Sequence, residues 1–445
     1  MLCCGSCDSK NKHDEANFNE AMCGEVTPDV DAAAPRDRKL HVPSLPSQTL
    51  PAADSAGKGA SEPTTSSPPA PAVVAEPVVA AAAPELKEKK SEGYQKAPEP
   101  AKPAAVPKKM LPKLEGKIAP DQLRQCWDVN TNWMIIGAMT SSYEPFAPRE
   151  TETYGSFDVT TAGIAWFCRK GRKGEFDTAP NQDNFCLAEL KNGWRMACCM
   201  DGHGSFGQLV ATMAVQMLPY LIAQTSWKED DLPDILVEAF ESVHSHITAV
   251  AEADGWSVDT SGCTAVLVLW KDKKVYVSHV GDSRCVIGSE SKLLDETKDH
   301  KPSVESEKQR IQSLGGEVQT EAYSDGWTEH RIFVKDTEKP GLSMCRSIGD
   351  TMVKGIGVIS TPDVKFIDIS ADRNPFMILA SDGVWEFMTS DTVVKAATST
   401  LQGHGRSAHG LELTVRDLYE ASAQCWKNAE TDYCDDITAI LVDLS

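Results

Sequence analysis

The chain has 445 residues, a net charge of −21 and a pI near 4.9. That acidic balance excludes a nucleic-acid binder built on a basic stripe. No apolar run approaches the ~20 residues of a membrane-spanning helix, and the first residues lack the basic-then-apolar pattern of a secretion signal, so a cytoplasmic protein is expected rather than a secreted one. The 14 cysteines include Cys198 and Cys199 within an apolar run, and Cys186, Cys263, Cys285 and Cys345 in strand-like or motif sequence. They read as reduced, buried, small apolar residues, and their spacing does not make the paired sets of a structural zinc site.

Residues 1 to about 115 are Ala/Pro/Ser-rich and polar, as in Pro63-Thr-Thr-Ser-Ser-Pro-Pro-Ala-Pro71. Such composition buries too little apolar surface to offset chain entropy, and a disordered, extended tail is expected. Cys3, Cys4 and Cys7 cluster at its tip, either as plain thiols or as sites of palmitoylation that would tether the protein peripherally to a membrane. Leu2 stands where N-myristoylation needs glycine. Residues 116 to 160 carry Trp127, Trp133-Met-Ile-Ile136 and Tyr143 and are too apolar for a free linker, so they are expected to pack onto the domain that follows.

From residue 161 to residue 445 the chain is long enough for one domain with a large core. Strands are predicted at 163–168, 184–190, 194–200, 264–270, 275–280, 284–287, 331–334, 364–369, 376–380 and 437–442. Helices are predicted at 206–221, 232–253, 304–314, 391–401 and 411–426, with Ser390 as a candidate N-cap. Short links such as Trp270-Lys-Asp-Lys-Lys274 favour antiparallel pairing. Strands with helices inserted between them predict an α+β layered sandwich, not a doubly wound parallel sheet. No internal repeat and no Walker or dinucleotide fingerprint is present.

The apolar run Met196-Ala-Cys-Cys-Met200 ends abruptly in Asp201-Gly202-His203-Gly204. The glycines permit a tight bend, which leaves a carboxylate and an imidazole at the lip of a strand. The device recurs at Phe376-Met-Ile-Leu-Ala-Ser-Asp382-Gly383, and Asp435-Asp436 precede the strand-like Ile437–Val442. One Asp-Gly alone is an ordinary turn. Carboxylates at several strand ends suit a hard divalent cation.

These stretches belong to a longer series: Asn181-Gln-Asp-Asn-Phe185, Met200-Asp-Gly-His-Gly204, Ser261-Gly-Cys-Thr-Ala265, Val280-Gly-Asp-Ser-Arg284, Asp299-His-Lys-Pro302, Arg310-Ile with Gly315-Gly316, Cys345-Arg-Ser-Ile-Gly-Asp350, Ala380-Ser-Asp-Gly-Val-Trp385 and Asp435-Asp-Ile-Thr438. In this order the domain resembles the type 2C protein phosphatases, the metal-dependent serine/threonine class also called PPM. The resemblance implies an αββα fold of two antiparallel sheets flanked by helices. It implies phosphorylated proteins as substrates and two Mg²⁺ or Mn²⁺ ions, about 4 Å apart, sharing a water that attacks phosphorus as hydroxide.

By the same resemblance Asp201 bridges the ions, while Asp183, Asp382, Asp435 and the Gly202 carbonyl complete the protein's share of the coordination. Asp282 marks a possible third ion site, or else a turn aspartate. His203 is the candidate general acid, the alternative being a ring that hydrogen-bonds a metal-bound water. Two basic pairs compete to hold the phosphate; Arg169 and Lys170 are preferred over Arg172-Lys173. Gln182, where relatives often carry Glu, could orient a water. Residues 315 to 342 correspond to the flap beside the active site, where Glu317, Glu321, Asp325 and Glu329 would disfavour strongly acidic peptides. A monomer is expected. A catalytically dead binding module and a hydrolase of small phosphate esters are the competing readings, and none of the expected carboxylates is missing.

Overall fold

The computed structural model describes residues 111–156, 162–174, 176–322, 328–430 and 432–445. Cys3, Cys4, Cys7, nearly all of the Ala/Pro/Ser-rich tail and Asp325 lie outside the described residues. In chain order the principal strands are β1 (Thr131–Gly137), β2 (Thr151–Gly155), β3 (Ile164–Arg169), β4 (Asn184–Leu190), β5 (Arg195–Met200), β6 (Ala265–Lys271), β7 (Lys274–Val280), β8 (Arg284–Ser289), β9 (Lys292–Glu296), β10 (Asp363–Asp368), β11 (Pro375–Ala380) and β12 (Ile437–Asp443). The principal helices are α1 (Pro120–Asn130), α2 (Gly207–Gln224), α3 (Leu232–Asp254), α4 (Glu305–Ser313), α5 (Ser390–His404) and α6 (Ala408–Ala429).

The strands form a seven-stranded sheet in the order β10-β7-β6-β5-β4-β1-β2 and a five-stranded sheet in the order β9-β8-β11-β12-β3. Every pairing within these two sheets is antiparallel. Strand side chains alternate between faces, and the two buried sets go to different cores. From β5, Ala197 and Cys199 enter the layer between the sheets, beside Met377, Leu379 and Ile440 of the second sheet. Met196, Cys198 and Met200 face the opposite way, onto residues of α1, α2 and α3. On the far side, Phe376, Ile378 and Leu441 pack against α5 and α6. The result is the αββα sandwich expected from the sequence.

The described cysteines are free and buried, as their apolar settings suggested. No helix among the described residues is long and apolar enough to cross a membrane. The residue before α5 that caps it is Thr389, whose Oγ1 accepts from the Thr392 N–H at 3.3 Å, not Ser390, which is already the first helical residue.

The segment 116–160 is more than a packing extension. It supplies α1, the edge strand β2 and β1 beside it, with Met134 opposite Ala188 of β4 and opposite Tyr154 of β2. The first sheet therefore takes strands from this segment as well as from the chain that follows it. The sequence obscures this because α1 passes directly into β1 at Asn130-Thr131, without a glycine or proline turn signal.

Apart from the two main sheets, a hairpin of Gly316–Ala322 and Thr328–Val334 is joined by Pro340–Leu342 into a small sheet. Its own core includes Ile311 of α4, Ile332, Leu342, Met344 and Val353. A charge cluster centred on the buried Glu307 fastens the base of this unit. Glu307 accepts bidentately from Arg310, at 2.9 and 2.5 Å, and from Arg346 at 2.8 Å; Arg346 also reaches Asp363 at 2.7 Å. Burial alone would raise the Glu307 pKa, but the two guanidinium groups outweigh it and hold it at about 2. A carboxylate with a depressed folded pKa contributes stability above its unfolded pKa, and the contribution is lost as pH falls through the folded one. Glu307→Gln should therefore cost roughly 3 kcal/mol near neutral pH, because it leaves two partly buried arginines short of charge. Denaturant unfolding should show the gap to wild type closing between about pH 4.5 and pH 2; an unchanged midpoint at neutral pH would refute the clamp.

Candidate active site

Antiparallel register brings the carboxylates together. β4 starts at Asn184 and β5 ends at Met200, and these two residues are partners, so Asp183 and Asp201 leave the same end of the first sheet. β11 ends at Ala380 and β12 starts at Ile437, with Ala380 opposite Ala439, so Asp382 and Asp435 leave one end of the second sheet. Ser381 joins the two pairs: its hydroxyl donates to Asp183 Oδ2 at 2.8 Å and accepts from the Thr438 N–H at 3.1 Å.

The electrostatics of this cluster are those of negative charge without enough compensation. Burial raises the Asp183 pKa to about 7, with Asp436 adding repulsion. Burial also pushes Asp201 well above the usual carboxylate range, and Asp382, Asp183 and Asp435 push it further. Asp382 rises for the same reasons, with Asp435 and Asp282 as its neighbours. Its Oδ1 is buried without a hydrogen-bond partner. Asp435 is the exception. Burial opposes its ionisation, yet Lys173, 2.9 Å from Oδ1, holds its pKa down. Among the described residues no three His, Cys, Asp or Glu side chains close on a single point. The donor set is nevertheless all hard oxygen, unlike a soft-metal site, and an ion with few protein ligands and several waters fits it.

The glycines of the lip are required by contact. A Cβ on Gly202 would lie 2.5 Å from the Gly207 carbonyl oxygen and 2.7 Å from that of Gln182. The Gln182 side chain spans this turn, donating to Gly204 O at 2.7 Å. Its amide nitrogen is thus engaged with backbone, not directed at the carboxylates. Asp201 is held from behind, its N–H donating to Thr264 Oγ1 at 3.1 Å and its carbonyl accepting from Thr264 N at 2.8 Å.

His203 does not face the cluster alone. Its Nε2 lies 2.8 Å from Asp350 Oδ2, while Nδ1 is buried with no hydrogen-bond partner. Burial opposes the imidazolium, but Asp350 outweighs it and the His203 pKa is raised. Asp350 in turn accepts from Ser347 Oγ at 2.6 Å and is held ionised against burial by His203 and Lys354. Gly262 makes room for this partner, because a Cβ there would lie 2.2 Å from Asp350 Oδ2. The Ser261-Gly-Cys-Thr264 motif thus supports the site from behind, with Gly262 beneath Asp350 and Thr264 beneath Asp201.

The expected phosphate-holding pair is placed elsewhere. Arg169 lies over the Tyr419 ring of α6 at 4.8 Å and donates to Phe146 O. Lys170 is fully buried, paired with Asp177 at 2.5 Å and Asp436 at 3.7 Å. Both are occupied in holding the fold, which corrects the preference for them. Lys173, from the other basic pair, is the cation beside the cluster, at 2.9 Å from Asp435 and 3.8 Å from Asp436. Asp436 is buried and fastens this loop, accepting from Gly171 N at 2.6 Å and from Gln182 N at 2.8 Å. Asp282 is paired with Lys301, although its Oδ1 is buried and unpartnered.

Sequence reasoning also missed Arg149. It is buried and donates to the backbone carbonyls of Asp183 at 2.6 Å, Ala138 at 2.8 Å and Asn181 at 3.2 Å. An arginine from the segment before residue 161 therefore sets the strand end that presents Asp183.

A family model described as Protein phosphatase 2C matches residues 168–429. Among curated proteins, the chain is 30% identical over 317 residues to Probable protein phosphatase 2C 48 of Oryza sativa subsp. japonica, covering 64% of this chain and 84% of that one. It is 28% identical over 308 residues to Probable protein phosphatase 2C 73 of Arabidopsis thaliana, covering 62% and 78%. Among solved structures, one described as a C. elegans sex determining protein superposes with a TM-score of 0.51 at 17% identity, over 63% of this chain and 64% of that one, and so shares the fold.

Proposed function

The chain belongs to the protein phosphatase 2C family and is a serine/threonine protein phosphatase, and from that premise we propose that it hydrolyses phosphoserine and phosphothreonine with two divalent cations, Mg²⁺ or Mn²⁺, held by Asp183, Asp201, the Gly202 carbonyl, Asp382 and Asp435. The observation that carries this is the buried or half-buried, mutually repelling set of four carboxylates with an unpartnered, buried oxygen on Asp382. Repulsion of that kind destabilises the fold unless cations neutralise it. Bound there, the ions would acidify a water and offset charge on the phosphoryl group.

The remaining roles fall to the chain's own side chains. Lys173 stands beside Asp435 with its side chain about a quarter exposed, and we assign it, in place of Arg169 and Lys170, to the phosphate oxygens. Its ammonium acts there as a point charge, which orients the ester but does not fix it bidentately. Serine and threonine alkoxides are poor leaving groups, and His203 is assigned to deliver the proton they need. The ion pair with Asp350 keeps the ring charged and fixes its orientation through Nε2, which leaves Nδ1 as the atom free to donate. Asp282, already paired with Lys301, is the carboxylate to which a third, weaker ion would be assigned. A cytoplasmic location, with or without a tether through acylated Cys3, Cys4 and Cys7, rests on the sequence alone.

Comparing a phosphothreonine peptide with a nucleoside triphosphate under the same conditions tests the substrate class. The peptide should show the higher kcat/KM, and a preference for the nucleotide would move the enzyme to the hydrolases of small phosphate esters.

A further inference from the structure

A groove of about 640 Å³ opens beside the site, lined by Tyr143, Glu144 and Phe146 from one segment and by Arg172, Asp177 and Thr178 from another. Nothing in the catalytic account uses it. It nonetheless adjoins the catalytic cluster through a single strand. Arg172-Lys173 is a short strand paired with Tyr433-Cys434, and neighbouring strand residues point to opposite faces. Lys173 faces Asp435, and Arg172 lines the groove.

The aromatic wall is built and held in place. Phe146 sits at φ +64°, a left-handed conformation that costs an aromatic residue energy. It is kept there from both sides: its N–H donates to Lys170 O at 2.9 Å, and its carbonyl accepts from Arg169 at 3.2 Å. The same loop is tied to the residues before Asp183, with Ser141 Oγ donating to Asn181 O at 3.1 Å. Despite this fixation the rings remain in solvent, Tyr143 60% and Phe146 44% exposed. The opposite wall is equally fixed, because Asp177 accepts from Lys170, from Lys173 N at 2.9 Å and from Ala179 N at 3.0 Å. Exposed aromatic rings on a preorganised loop are the features of a recognition surface.

We infer that this groove binds an aromatic side chain of the substrate protein, within a few residues of the phosphorylated serine or threonine, and so sets sequence preference. The inference rests on the assignment of protein phosphatase activity to the neighbouring cluster. An extended peptide advances about 3.3 Å per residue, so a segment anchored by its phosphate at Lys173 reaches the far face of the same strand within a few residues. The two exposed rings favour an aromatic occupant by ring packing; of the charges lining the groove, Asp177 is paired with Lys170, while Arg172 and Glu144 are of opposite sign and leave no net charge to select an ionic side chain.

The test uses the full-length protein and phosphothreonine peptides in which phenylalanine is moved through the flanking positions of an otherwise alanine-rich sequence, with nitrophenyl phosphate as a substrate too small to reach the groove. Wild type should favour phenylalanine at one or two positions by roughly tenfold in kcat/KM, the size of a lost aromatic contact. Phe146→Gly removes the ring while relieving the backbone, and should erase that preference through KM, leaving kcat and nitrophenyl phosphate turnover unchanged. Tyr143→Ala provides a second removal at an unstrained position. Equal kcat/KM for all peptides with wild type overturns the inference, as does a Phe146→Gly variant that slows every substrate alike. A dimer lost in Phe146→Gly with peptide preference intact would assign the groove to a second copy and also overturn it. If no phosphopeptide is turned over while nitrophenyl phosphate is, the activity assignment itself fails, and the groove inference with it.

Discussion

Asp382→Ala removes phosphopeptide turnover and leaves the cation-free protein as stable as wild type, or more so. The two effects come from one carboxylate. The Oδ1 of the half-buried Asp382 is buried without a partner, and Asp435 and Asp282 add repulsion to the penalty of desolvation. A carboxylate whose folded pKa is raised above its unfolded value destabilises the fold at neutral pH, where it must be ionised against that rise. Deleting it removes the repulsion, and thermal unfolding in chelator should show an equal or higher Tm. The same deletion removes the donor with most to gain from a cation. Turnover should fall by more than the ~10²-fold typical of losing a residue that merely supports a ligand. The rise in Tm that Mn²⁺ gives wild type, which follows from binding to the native state only, should shrink or vanish. Wild-type turnover in the variant, or a large fall of its cation-free Tm, would show that Asp382 has a structural role instead.

His203→Gln slows phosphothreonine peptide hydrolysis by about 10²–10⁴-fold, the usual contribution of a positioned general acid. The expected signature lies in the comparison with nitrophenyl phosphate. A nitrophenolate departs without a proton, so its release should suffer far less, because none of the four carboxylates is altered. The structure gives the ring what such an acid needs: a buried, ionised partner in Asp350 at 2.8 Å and a raised pKa, so the imidazolium persists towards neutral pH. Equal losses on both substrates would reassign His203 to orienting the nucleophile or supporting the carboxylates.

How far the sequence discloses these parts depends on how local their causes are. The central strands of both sheets follow from short, near-continuous apolar runs bounded by turns, and the Asp-Gly lips follow from the glycines that end them. Each of the four cluster carboxylates is adjacent to such a strand or its turn, so their positions could be read along the chain. The partners that hold them could not. Asp350 lies 147 residues from His203, and the segment between them carries the flap hairpin. Arg149 reaches Asp183 from a stretch whose sequence shows mostly apolar character and prolines. Lys170 and Lys173 are three residues apart in similar sequence, yet one is buried on Asp177 and the other stands against Asp435. Only the pairing of Arg172-Lys173 with Tyr433-Cys434 separates them, and that contact is set by tertiary structure. β1 and β2 are hard to read along the chain for a related reason: strands near a sheet edge gain their identity from the sheet they join.

The central claim is that the carboxylate cluster is completed by divalent cations for phosphoester hydrolysis. It is tested most directly by phosphate release from a phosphothreonine peptide by full-length protein, first stripped with chelator and then titrated with Mn²⁺ or Mg²⁺. Activity should be absent after stripping and return with the added ion. Full activity in the stripped protein, with no divalent ion detectable in the sample, would contradict the account.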